Sequence, residues 1–287
     1  MTSVAFLGPG GTFSEDALLA ATGGAEVDEV AKPTIFEAIR AVASGEVDRA
    51  LVPFENSIEG SVRVTLDALA FDVDGVAIVG EHDHPIRHAL ISKPGVRMEE
   101  IEVVLSHPQA NAQCARFIRE RLPEASVRAV SSTAEAVRSV SLSKAPWGAL
   151  GAPSAARLYD CEVLAEGVED APDNVTRFVW LAPEGEANGG DNGEGRVWRT
   201  TLVFSELGAD HPGALVEALT EFSSRDVNLT RIESRPLRRG LGRYLFFVDL
   251  EGRSSDEDVR TAVGGLRGKA ENVRILGSYP IEGPAVP

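Results

Sequence analysis

Residues 173–178 read Asp173, Asn174, Val175, Thr176, Arg177, Phe178, setting a hydroxyl and a guanidinium side by side at the head of an apolar run. A hydroxyl can donate a hydrogen bond as a bond breaks, and a guanidinium grips carboxylates through parallel N–H donors. That pairing suits a substrate carrying acid groups. Three more clusters could share the work. Gly8, Pro9, Gly10, Gly11 and Thr12 follow a short apolar stretch and precede Ser14 and Glu15. A glycine turn that opens a helix offers free backbone N–H groups to an anion. Pro53 and Phe54 lead into Glu55, Asn56, Ser57 and Glu59, which mix donors with titratable carboxylates. Ser106, His107, Pro108 and Gln109 are followed one turn later by Gln113, so two amides share a helix face.

The elements that must hold these clusters alternate. Residues 4–7, 27–30, 49–53, 76–81, 88–92, 101–105, 127–130, 147–150, 162–164 and 176–182 read as strands. Helical patterns lie between most of them, at 13–21, 35–44, 62–69, 109–118, 133–142 and 152–159. Thr12 and Glu15 stand at capping-box spacing, Thr34 is an N-cap, and Ser132 or Thr133 caps the helix that runs to Leu142. This grammar predicts an α/β domain with a mainly parallel sheet. Clusters just past the strand ends fall where open α/β sheets place ligands. Residues 183–198, rich in Gly, Asn, Glu and Asp, read as a linker. Beyond it the order becomes strand, helix, strand, strand, helix, strand over 199–281, the ferredoxin-like βαββαβ pattern. Such a domain exposes a sheet edge, so pairing with a second copy is expected.

Composition narrows the function classes. The net charge of −16 over 287 residues, without a long basic run, argues against nucleic acid and anionic membranes as partners. No stretch has membrane-spanning length, and the opening residues, without a charged start or a long apolar core, lead us to expect no secretory signal. The two cysteines, Cys114 and Cys161, read as reduced thiols of a cytoplasmic protein. His82 and His84 form a His-x-His pair, but no carboxylate or cysteine ligand stands at a suitable spacing, so no metal site is expected.

Taken together, residues 8–14, 53–60, 106–114 and 174–178, in this order, resemble the prephenate dehydratase family. The tail, with Gly213-Ala214-Leu215 and residues 228–236, resembles an ACT regulatory domain. The family usually has Tyr-Gly-Leu where this chain has Tyr159, Asp160 and Cys161, so no role is carried over to that stretch. The resemblance implies a two-lobed, type II periplasmic-binding-protein-like catalytic domain over residues 1–182. Its first lobe would be 1–75 with 165–182, and its second 76–164. It implies conversion of prephenate to phenylpyruvate with loss of carbon dioxide and water. Arogenate is an alternative substrate, and a non-catalytic amino-acid sensor is the reading from another class.

The implied roles follow residue by residue. Thr176 serves the departing hydroxyl, either relaying a proton from Glu55, Glu59 or His107 or acting by hydrogen bonding alone. Arg177, with the N–H groups at Gly11 and Thr12 beside Ser14, holds carboxylates. Asn56, Ser57, Ser106 and Gln113 orient the substrate, and Phe178 closes the motif. No cofactor is implied. Phenylalanine is the implied effector, lined by Gly213, Ala214, Leu215, Asn228, Leu229, Glu233, Ser234 and Arg235. A homodimer or homotetramer is the expected assembly.

Overall fold

The computed structural model describes residues 1–186, 196–207 and 211–281. The centre of the expected linker lies outside the described residues. The chain begins β1 (Thr2–Leu7), α1 (Phe13–Ala21), β2 (Val27–Lys32), α2 (Ile35–Ala43), β3 (Arg49–Asn56), β4 (Gly60–Ser61), α3 (Arg63–Asp67) and β5 (Val76–Pro85). It continues with β6 (Ala89–Ser92), β7 (Val103–Ser106), α4 (Pro108–Gln113), α5 (Ala115–Arg121), β8 (Ser126–Ala129) and α6 (Thr133–Leu142). Then come β9 (Trp147–Gly151), α7 (Pro153–Leu158), β10 (Glu162–Glu166) and the returning β11 (Val175–Pro183). The last part is β12 (Trp198–Ser205), α8 (Ala214–Ser223), β13 (Leu229–Pro236), β14 (Tyr244–Glu251), α9 (Glu257–Arg267) and β15 (Asn272–Pro280). The βαββαβ order of the tail is as expected.

Two lobes carry the α/β part. In the first, β1 lies between β2 and β3, parallel to both. Its Val4, Ala5 and Phe6 are all apolar because both faces are covered. β11 then inserts antiparallel between β3 and β5. The second lobe is a separate sheet in the order β10-β6-β9-β7-β8, parallel at β9-β7-β8 and antiparallel at β10-β6-β9. Both sheets are therefore mixed, where strand–helix alternation predicted mainly parallel ones. Alternation reports the crossover units but is blind to strands that return after a long excursion, as β11 does.

The lobe boundary also differs from expectation. β5 was expected to open the second lobe, yet it pairs along its length with β11 in the first sheet. The chain crosses between lobes at residues 86–88 and 167–174. Arg87 ties the two crossings, reaching Glu169 at 3.0 Å and the carbonyl of Pro172.

The tail domain is not a separate body. β15 meets β5 at Gly277 and Ile78, joining everything from β13 to β2 into one ten-stranded sheet. A Cβ at position 277 would overlap the Ile78 carbonyl oxygen and stand 2.8 Å from Ile78 Cβ, so only glycine lets the strands approach. Val203, Leu245, Phe247, Leu276 and Tyr279 of the tail pack in the same core as Val52, Phe54, Ile78 and Leu181. A second core, between the tail's sheet and helices α8 and α9, is its own.

Candidate active site

A cleft of about 500 Å³ opens between the two lobes where the crossings run. Its lining comes from the β1–α1 turn, the end of β3, the head of β11, and the starts of α4 and α6. Among the described residues, no Asp, Glu, Lys or Arg lines it. Each lobe instead aims a helix N-terminus at the cavity: Thr12, Phe13 and Ser14 at α1, and Ser132 and Thr133 at α6. Thr12 does not cap α1; its hydroxyl donates to the Leu7 carbonyl at 3.1 Å. Glu15 is turned back to accept from Gly11 N at 2.7 Å. The first-turn N–H groups of α1 are thus left facing the cleft, the arrangement that binds anions.

Along β11 the side chains alternate. Thr176 and Phe178 face the cleft, and Arg177 goes through to the other side of the sheet. Thr176 stands opposite Asn56 in register, and Asn56 Nδ2 donates to its Oγ1 at 2.9 Å. The Asn56 amide has no freedom to flip, because its Oδ1 accepts from the N–H groups of Ile58 and Glu59, both at 3.0 Å. Thr176 Oγ1 is therefore an acceptor from Asn56, and its own proton is free to donate into the cavity.

The same amide runs on into a chain. Asn56 Nδ2 reaches Asn174 Oδ1 at 2.7 Å, and Asn174 Nδ2 donates to Gln113 Oε1 at 3.3 Å. His88 Nε2 meets that oxygen at 3.1 Å, which leaves the Gln113 amide nitrogen without a protein partner at the cleft wall. Asn174 and His88, to which the sequence reading assigns no role, complete this network. His88 was read only as a strand residue, since the lobe crossing that turns it inward has no periodic signal. Burial lowers its pKa, so the ring is held neutral.

Several expected site residues lie elsewhere. Arg177 is buried in a cluster with Asp249 at 2.7 Å, Glu55 at 2.9 Å and Glu81 at 3.5 Å, and does not line the cleft. Glu55 sits with it on the far face, so neither a carboxylate clamp nor a proton relay from Glu55 fits this geometry. Ser57 accepts from Val175 N at 3.0 Å and pins the head of β11. Ser106 is fully buried and donates to the Leu150 carbonyl at 2.7 Å. Gly11, at φ 79°, sits against Ala155 and Leu158 of α7, where it lets the two lobes touch. Thr12, Ser14, Asn56, Gln113, Thr176 and Phe178 do meet at the cleft, and His107 lines it as well.

In the tail, Gly213 caps α8, while Leu215 and Leu229 pack against the domain's own core. Ser234 and Asn228 are exposed. Arg235 instead forms a bidentate pair with Asp67 of α3, at 2.8 and 2.7 Å from one nitrogen. Its guanidinium belongs to the seam with the α/β part rather than to the Gly213 turn.

His82 and His84 lie on β5 under α1, with the His84 ring edge-on to Phe178 at 6.3 Å. Burial pushes the His84 pKa down to about 4, with His82 adding to the shift, and lowers His82 as well. Lowered histidines mean that the unfolded chain binds protons first. Stability is therefore full above the unfolded value of 6.5 and declines as pH falls toward about 4. Melting temperature is expected to fall across that window, and His84→Phe to make the fall shallower.

Fold and cleft together define a two-lobed α/β protein with a cavity between its lobes, joined through one sheet to a ferredoxin-like domain. Residues 4–186 match the prephenate dehydratase family model and residues 202–268 the ACT domain model. The chain belongs to the prephenate dehydratase family. It is 40% identical to a prephenate dehydratase of Mycolicibacterium vanbaalenii over 98% of this chain and 91% of that one. A prephenate dehydratase from Arthrobacter aurescens, solved in complex with L-Phe, superposes with a TM-score of 0.88 at 39% identity. That match covers 99% of this chain and 92% of the other. A structure described as a novel type of quorum quenching acylase superposes with a TM-score of 0.85 at 30% identity, over 98% of both chains.

Proposed function

We propose that this chain converts prephenate to phenylpyruvate in the interlobe cleft, with Thr176 donating to the ring hydroxyl as it departs. The observation that carries the assignment of Thr176 is the fixed Asn56 amide. It donates to the Thr176 oxygen, which leaves the hydroxyl proton free for a partner in the cavity. Loss of carbon dioxide and hydroxide creates an aromatic ring, so the protein has to orient the dianion, exclude bulk water and stabilise charge growing on one oxygen. A threonine hydroxyl is too weak an acid to give up its proton freely near neutral pH. It acts here as a positioned donor, alongside the free amide nitrogen of Gln113. The substrate carboxylates fall to the helix N-termini of α1 and α6, one from each lobe.

Acyl hydrolysis, the chemistry named for one structural relative, finds less support in this cleft. Among the described residues no carboxylate lines it, and no lining hydroxyl is hydrogen-bonded to an imidazole. The neighbouring Cys114 thiol is buried and pushed up to about 12.

Phenylalanine is the proposed effector of the ACT domain, supported by the L-Phe complex of the Arthrobacter relative. A homodimer or homotetramer is proposed on the free edge of β13, where Ile232 is half exposed. Cytoplasmic placement is proposed on two free cysteines, Cys114 and Cys161. Among the described residues no helix is long and apolar enough to cross a membrane.

The test is direct. Purified protein mixed with prephenate at neutral pH is expected to produce phenylpyruvate, and added phenylalanine to slow it. Phenylpyruvate absent, with arogenate or an acyl amide consumed instead, would overturn the substrate assignment.

A further inference from the structure

Behind the pair that faces the cleft stands a second pair that faces the ACT domain. In the register of β11 with β3, Thr176 lies opposite Asn56, and Arg177 opposite Glu55. In the register of β14 with β13, Asp249 lies opposite Arg231. The two charged pairs meet across the domain seam as a chain of alternating charge, Asp249–Arg177–Glu55–Arg231. Arg177 contacts Glu55 at 2.9 Å and Asp249 at 2.7 Å, while Arg231 contacts Glu55 at 3.5 Å. Asp249 is fully buried, and both its oxygens are committed: Oδ2 to Arg177, and Oδ1 to the Thr201 hydroxyl at 2.8 Å. Thr201 in turn contacts the Tyr279 hydroxyl at 2.9 Å.

We propose that Asp249 is a positioning residue for the dehydration, acting from the ACT domain through Arg177 on Thr176. The inference rests on the function proposed above. Its physical content is adjacency: consecutive Cα atoms are about 3.8 Å apart, so a strand that shifts at Arg177 shifts at Thr176 too. The bond from Asn56 weakens steeply with distance and angle, and a misplacement of about 1 Å at a reacting centre can cost about 10²-fold in rate. Other ion pairs across the same seam, such as Arg235 with Asp67, do not touch β11 and should not carry this effect.

The experiment compares prephenate turnover by the full-length unaltered chain, Asp249→Asn and Asp67→Asn. Asp249→Asn keeps the side-chain volume and removes the charge. It is expected to lower kcat about tenfold or more, with KM within about twofold. Asp67→Asn is expected to keep kcat within about twofold, although it also loosens the seam. Should Asp249→Asn fail to fold, Thr201→Val removes only the hydroxyl on Oδ1 and should still lower kcat several-fold. Full kcat in the altered Asp249 or Thr201 chain, or an equal loss in Asp67→Asn, overturns the proposal. An unaltered chain that does not turn prephenate over would overturn the function reading, and this inference with it.

Discussion

Thr176→Val is expected to lower kcat by about 10²–10³-fold while KM changes little, the loss seen when one donor to a developing oxyanion is removed. Valine keeps the shape of threonine, so Phe178 and the lobe contacts stay in place and only the hydroxyl goes. The proton that Thr176 can donate matters most when the C–O bond is stretched and its oxygen carries charge. The deficit should therefore fall on the transition state rather than on substrate capture. Steady-state kinetics of the pure variant check this. A large rise in KM with kcat unchanged would instead make Thr176 a substrate-binding group. Asn56→Ala should reproduce part of the loss, because a threonine freed from its amide partner can turn its proton away.

Arg177→Met is expected to destabilise the folded chain by about 3–5 kcal/mol, the cost of stranding buried partner charges. Asp249 and Glu81 would keep their burial and lose a cation. Burial works against the guanidinium charge, but Asp249 and then Glu81 more than offset it, so its pKa is raised. Chemical denaturation of Arg177→Met should show the loss, and the double variant with Asp249→Leu should recover much of it, since an apolar replacement of the pair leaves no charge unpaired. Had Arg177 been a clamp for substrate carboxylates, the single variant would instead keep its stability and raise KM.

The contrast between Thr176 and Arg177 shows how far the sequence could be read. Glycine turn, amides and hydroxyl were legible as one site because each ends an element whose period is visible in the chain. Thr12, Asn56, Gln113 and Thr176 do converge on the cleft. What the chain did not display was which side of β11 each residue occupies. Period-2 alternation separates neighbours, so Thr176 and Arg177 cannot serve one cavity from a regular strand. A motif read as a unit hides that. The ACT elements were legible for the same reason as the other elements. Their fusion to the first lobe was not, because Val203, Phe247 and Tyr279 look like ordinary core residues of a small domain. Nothing local says that they are buried by another part of the chain.

Gly277 bears on how such a chain can be cut or recombined. A strand crossing the seam through one residue without a side chain means that an ACT domain transplanted from elsewhere would need a bare position at that same register. A graft with alanine or a larger residue there would prise the two halves apart, uncovering the rim of β5 and the apolar floor beneath it. Truncating the chain at its acidic connector would do the same. The ACT half is thus masonry for the half that holds the cleft, and a variant blind to the proposed effector should be sought by altering that effector's contacts, not by removing the domain.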